Sequence, residues 1–141
     1  MLRELKKVKS VSTVIINLMA DAHLQQIANE EYCYLTTIGR VSGKPHRIEI
    51  WFALDGSTAF LLSGGTHKSD WVKNLNKEPS VQVRIGKRSF AGRARVVTGV
   101  EEEQQARQLL AAKYYNWRPG RRLNSWARTA LPIALELDLL P

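Results

Sequence analysis

Between residues 32 and 97, apolar side chains recur at every second position in short runs, and turn-forming residues separate most of the runs. A period of two belongs to half-buried strands, whose successive side chains point to opposite faces. The run 32–38 is aromatic and β-branched and stops at Gly39. From 46 to 54, Ile48, Ile50 and Phe52 point one way and Arg47, Glu49 and Trp51 the other. Asp55-Gly56 predicts a hairpin into the strand 58–62. Residues 80–86 alternate cleanly, 89–97 less strictly as an antiparallel neighbour, and 131–139 read as a closing strand. Short turns between strands favour an antiparallel barrel over a βαβ sheet.

Helical spacing is confined to three places. Val14, Ile15, Leu18, Met19, Ala22 and Ile27 predict a helix over about 12–31, with Ser12 or Thr13 as its cap. A short helix is expected from Ser69 or Asp70 through Trp71, Val72 and Leu75, ended by Pro79. Thr98-Gly99-Val100-Glu101 has capping-box spacing and opens a helix to about Tyr115, followed by a turn-rich loop at 116–124. The expected class is mainly β (α+β), with about six antiparallel strands and two or three peripheral helices. A chain of 141 residues suits one domain over 1–141.

Several function classes lack their machinery. The single cysteine, Cys33, lies in an apolar strand and reads as a buried residue of a reducing, cytoplasmic compartment. Three scattered histidines, His23, His46 and His67, give no zinc spacing, so no metal site is expected. There is no nucleophile elbow, no Walker loop and no dinucleotide fingerprint. No apolar stretch reaches the roughly 20 residues of a membrane span, and residues 1–7 lack the pattern of a signal peptide. A cofactor that carries its own reactivity asks only for binding, orientation and electrostatics.

Two loops suit that task. In Gly39-Arg40-Val41-Ser42-Gly43-Lys44-Pro45-His46-Arg47, glycines permit close backbone approach, Ser42 offers a hydroxyl, and Arg40, Lys44 and Arg47 carry positive charge. Ser63-Gly64-Gly65-Thr66-His67-Lys68-Ser69 leads into a helix N-terminus, which favours phosphate. The formal net charge of +8 agrees with an anionic ligand without selecting one.

These residues carry a resemblance. T-T-x-G-R-x-S-G-x-P from Thr36 to Pro45, the Asp55-Gly56 turn, the Gly64-Gly65 loop, and W-x-x-N-L from Trp71 to Leu75 before Pro79 resemble the split β-barrel flavin and deazaflavin oxidoreductases. The nearest branch is the deazaflavin-dependent nitroreductase or quinone reductase family; pyridoxamine 5'-phosphate oxidase-like proteins are more distant. The resemblance implies a cofactor, coenzyme F-420 (a deazaflavin) or FMN, and hydride transfer to a small acceptor such as a quinone or nitro compound. It assigns cofactor contacts to Thr37, Arg40, Ser42, Gly43, Lys44, His46, Arg47, Ser63, Gly64, Gly65, Lys68, Trp71 and Asn74, with Trp51 near the ring edge. It also implies a homodimer. No side chain is expected to act as a catalytic acid or base.

The chain departs from the pattern at named places. His46 stands where a basic residue often follows the proline, Ser63 replaces a common lysine, Glu49 stands where proline is common, and the segment between Gly65 and Trp71 is about one residue short. The resemblance allows Tyr114, Tyr115, Trp117 and Trp126 to border a substrate pocket; helix–barrel packing explains them equally well and is the preferred reading. Two other readings remain: a flavin or tetrapyrrole carrier without turnover, and a nucleic-acid-binding barrel using Arg84, Lys87, Arg88, Arg93 and Arg95. Base stacking needs interleaved aromatics, and only Phe90 lies between Arg84 and Arg95, which disfavours the latter.

Overall fold

The computed structural model describes residues 22 and 24–139. Strands β1 (Cys33–Ile38), β2 (Pro45–Ile50), β3 (Ala53–Asp55), β4 (Thr58–Ser63), β5 (Ser80–Ile85), β6 (Arg88–Val96) and β7 (Leu131–Leu137) form one antiparallel sheet in the order β2-β1-β5-β6-β7-β4-β3. Besides the helical residues 24–27, the described residues form helices α1 (Asp70–Lys77), α2 (Val100–Tyr115) and α3 (Ser125–Thr129), with a 3-10 turn at Thr66–Lys68.

The connection between β2 and β3 dictates the shape. These strands occupy opposite edges of the sheet, yet only Trp51 and Phe52 separate them in sequence. In a flat seven-stranded sheet the edges would stand roughly 29 Å apart. Two residues bridge about 10 Å at most. The sheet therefore curls until its edges nearly meet, which is the geometry of a split barrel.

That corner also corrects the expected strand 46–54, which is divided into β2 and β3; the described residues form seven strands where about six were expected. The apolar alternation runs through Trp51 and Phe52 because both are shielded by helix α2, and not because they pair in a ladder. Tyr114 accepts the Phe52 N–H (3.0 Å), and Lys113 Nζ donates to the Phe52 carbonyl (2.9 Å).

Two apolar layers result. Leu35, Phe52, Leu61, Val83, Ile133 and Leu135 fill the barrel, which Leu24, Ile27, Val72 and Leu75 help to close. Phe60, Leu62 and Ala134 point outward against Ala106 and Leu110 of α2. Strand β4 is thus buried on both faces. Fully burying a side chain such as Phe60 stabilises the fold by about 1.5–3 kcal/mol.

Boundaries otherwise shift by a residue or two, with two physical exceptions. The cap of α2 is Gly99, without a side-chain bond, so the expected Thr98 capping box does not form. Three carboxylates, Glu101, Glu102 and Glu103, occupy its first turn instead, where they complement the helix dipole. Helix α3 was not expected; Asn124 caps it, accepting the Ala127 N–H at 2.8 Å. Most of the helix expected over 12–31, with its Ser12 or Thr13 cap, lies outside the described residues, as does His23. Residues 24–27 are helical, and the chain turns there, short of Glu31, with Glu30 N–H on the Ile27 carbonyl (3.1 Å). Among the described residues, no helix is long and apolar enough to cross a membrane.

Candidate functional site

The turn after β1 is built around two glycines. Gly43 has φ 72, the left-handed region that side chains disfavour, and its N–H closes onto the Gly39 carbonyl at 2.9 Å. Gly39 is required by space: a Cβ there would lie 2.6 Å from Ser42 Oγ and 2.7 Å from His46 Nε2. Ser42 and His46 therefore fold over bare backbone, their polar atoms 3.4 Å apart, and Lys44 N–H donates to Ser42 Oγ (3.1 Å).

The second loop is tied to the start of α1. Ser63 Oγ donates to the Thr66 carbonyl (3.0 Å) and shares a hydrogen bond with Ser69 Oγ (2.9 Å). A Cβ on Gly65 would collide with Ser69 Oγ.

Asn74 ties the first loop to α1, the helix that the second loop leads into. Its Oδ1 accepts the backbone N–H of Arg40 (3.1 Å) and Arg40 Nη1 (2.9 Å), while its Nδ2 donates to Thr37 Oγ1 (3.2 Å). Asn74 and Thr37 are both buried, so these bonds are protected from water. Arg40 Nη2 also pairs with Asp70 Oδ1 (3.1 Å), and Lys77 Nζ donates to the Arg40 carbonyl (2.7 Å). The first turn of α1 thus carries its own carboxylate, already matched to a guanidinium.

A cleft of about 770 Å³ opens between this turn and α1. Thr37, Arg40, Ser42, His46, Arg47, Trp71 and Asn74 line it, all residues expected at a site, together with Gly39, Val41, Ile48, Ser69 and Asp70. Gly43 and Lys44 complete the turn without lining the cleft; nor do Ser63, at the end of β4, and Gly64, Gly65 and Lys68, in the loop before Ser69. Asp70 was legible as a cap but not as a partner of the site. The available signal was its i, i+4 spacing from Asn74, which puts both on one helix face.

Trp51 lies elsewhere. Its ring stacks on Tyr114 (centroids 4.3 Å apart, planes 4° apart) and meets Trp126 (5.6 Å) and Tyr115 (6.0 Å) edge-on. Tyr32, Glu49, Ile50, Trp51, Leu62, Tyr115 and Trp126 line a separate pocket of about 390 Å³. The expected packing role holds for Tyr114. Its hydroxyl takes the Phe52 N–H and lies 2.8 Å from the Glu31 carbonyl; burial pushes it up to about 12. Lys113 beside it donates to the Glu30 carbonyl (2.8 Å), lies 3.7 Å from the Phe52 ring centre, and is pushed down to about 8 by burial. Burial also raises the Cys33 thiol to about 12, as a structural strand cysteine requires.

The matching family is described as F-420H(2)-dependent quinone reductase, and its model covers residues 14–138. The chain belongs to the F-420H(2)-dependent quinone reductase family. As a member it is an oxidoreductase, and coenzyme F-420 is its cofactor. Solved structures agree on the fold. A protein from Listeria innocua assigned as a pyridoxamine 5'-phosphate oxidase is 16% identical over 85% of this chain and 94% of its own, with a TM-score of 0.65. HutZ, the heme storage protein from Vibrio cholerae, is 15% identical over 84% and 90%, also at 0.65. An F-420 reductase is 21% identical over 81% and 92%, at 0.56. At such identities the likeness is one of architecture.

For an F-420H(2)-dependent quinone reductase, the cleft has a fitting donor set. Arg40, Ser42, His46 and Arg47 present hydrogen-bond donors, Gly39 allows close approach, and Asp70, the one carboxylate, is already neutralised. Trp71 and Ile48 add apolar wall.

Proposed function

We propose that the chain binds reduced coenzyme F-420 in the Arg40–Asn74 cleft and serves hydride transfer to a small flat acceptor, a quinone or nitro compound. The observation that carries this reading is the Asn74 amide. It fastens the 39–44 turn to α1, so that this turn and the start of the helix, distant in sequence, border one cleft.

Arg47, His46 and Ser42 would hold the anionic end of the coenzyme, since they border the cleft and none forms an ion pair among the described residues. Arg40 would contribute charge and, through Asn74 and Asp70, hold the turn in shape. Gly43, Lys44, Ser63, Gly64, Gly65 and Lys68 would act by shaping the loops. Trp71 would flank the ring system, and the Trp51 pocket would receive the acceptor. When bound, the coenzyme supplies the hydride. The side chains bind, orient and exclude water. A cytoplasmic homodimer of single-domain subunits completes the reading, and the buried free thiol of Cys33 suits a reducing compartment.

Absorbance titration with coenzyme F-420 and with FMN is the first test. Saturation by the deazaflavin is expected, followed by loss of the reduced form when menadione or a nitroimidazole is added. Binding with no oxidation by either acceptor would turn the reading to a carrier. Absence of binding would remove the cleft from the coenzyme site. Light scattering tests the dimer.

A further inference from the structure

The aromatic pocket differs from the cleft in the sign of its charge. Trp51, Trp126, Tyr115 and Tyr32 surround it, and among the described residues Glu49 is the only charged side chain on its wall. Glu49 Oε1 accepts the Tyr34 hydroxyl (2.9 Å), which fixes the carboxylate. Its Oε2 has no hydrogen-bond partner among the described residues. Arg47 and Arg84 lie over the Tyr34 ring at 4.1 and 4.7 Å, and neither is on the wall of the pocket. Glu31 and Glu49 both raise Tyr32, Glu31 the more, as expected where the local potential is negative. In a chain of net charge +8, the described wall of this pocket carries a carboxylate and no cation.

Aromatic faces carry negative quadrupoles, and several faces beside a carboxylate form a receptor for organic cations. The edges of Trp126 and Tyr115 meet Trp51 at 89° and 69°, so the rings wall the pocket on different sides. Flat shape is selected by the indole surfaces, and positive charge by Glu49.

We infer that the Trp51–Tyr115–Trp126 pocket, with Glu49, is a binding site for flat organic cations of the N-alkylated azaarene class, such as quinolinium or pyridinium rings. As the acceptor's subsite this rests on the reductase reading above; as a binding site it stands without it. Glu49 then sets specificity by favouring a positive ring over an anionic one.

The test uses the full chain without coenzyme, so that failure of hydride transfer and failure of this site are separate results. 1-Methylquinolinium, neutral quinoline and 1-naphthoate are titrated while the indole N–H resonances of the four tryptophans are followed. Methylquinolinium is expected to move the Trp51 and Trp126 signals, leave Trp71 and Trp117 in place, and bind about tenfold tighter than quinoline. Naphthoate is expected to bind weakest. Glu49→Gln should bring the three ligands within about threefold of one another, and Trp126→Leu should weaken all three. Equal or tighter binding of naphthoate, a charge preference that survives Glu49→Gln, shifts centred on Trp71, or no binding of methylquinolinium would each overturn the inference.

Discussion

The cleft beside Arg40 and the pocket beside Trp51 flank the two ends of β2, and they are held in shape by different means. The cleft is a polar lattice: a buried amide, a guanidinium and backbone N–H groups, tuned by hydrogen-bond distances. The pocket is a cluster of rings from the β2–β3 corner and helices α2 and α3, held by contact area. Polar lattices lose function when one atom is removed, because the partner is left unsatisfied. Ring stacks lose stability first, because removal leaves a void. Tyr34 stands between them, with Arg47 over its face and Glu49 on its hydroxyl.

Substitutions can break that contrast. The largest effect is expected for Trp51→Ala, a loss of about 3 kcal/mol of stability, measured by denaturant unfolding, with acceptor KM raised more than coenzyme affinity is lowered. A destabilisation below about 1 kcal/mol would show that the rings do not act as a packed unit. Asn74→Ala should cost about 2 kcal/mol of stability and weaken coenzyme binding by about 10- to 100-fold, with the rate at saturation nearly intact. Unchanged affinity would mean that the turn and α1 act separately. Arg40→Ala follows, with coenzyme Kd raised about tenfold and little change in kcat. Equal affinity in variant and parent would remove its side chain from the site.

The smallest effect is in pH dependence and sharpens the same comparison from the ring side. Lys113 titrates near 8 when folded and at its ordinary 10.5 when unfolded. Above pH 8 the unfolded chain therefore holds more protons, and stability rises with pH. Cys33 and Tyr114, raised to about 12 from 9.0 and 10.0, act in the opposite sense, because the unfolded chain then loses protons first. Melting temperature should climb slightly from pH 8 to 9 and decline beyond. Lys113→Met should abolish the climb while keeping the decline.

Strands were legible where one face is buried and the other wet, as in β5, where buried Val81, Val83 and Ile85 alternate with exposed Ser80, Gln82 and Arg84. The break at Trp51–Phe52 was not legible, because helix α2 buries residues that an ordinary strand would leave alternating. Helix α3 spans five residues, too few for a period of 3.6 to declare itself. In the site, the glycine turns announced themselves by composition, and Asn74 by its motif. Asp70 and Glu49 did not. A carboxylate at a helix start reads as a cap, and the polarity of a pocket depends on which distant rings surround it. Arg95 was likewise grouped with a basic face, yet it forks Glu102 (2.7 Å) and Glu136 (2.9 Å), both supplied from later in the chain.

The sheet order places β7 between β6 and β4, where it pairs with both. The strand of this sheet that is synthesised last is thus the keystone of the arch. Until it arrives, the nascent polypeptide carries two raw strand edges with no mate, the state most exposed to wrong partners. Assembly must wait for pairings as remote as Thr58 with Glu136, which marks this domain as a slow folder governed by topology.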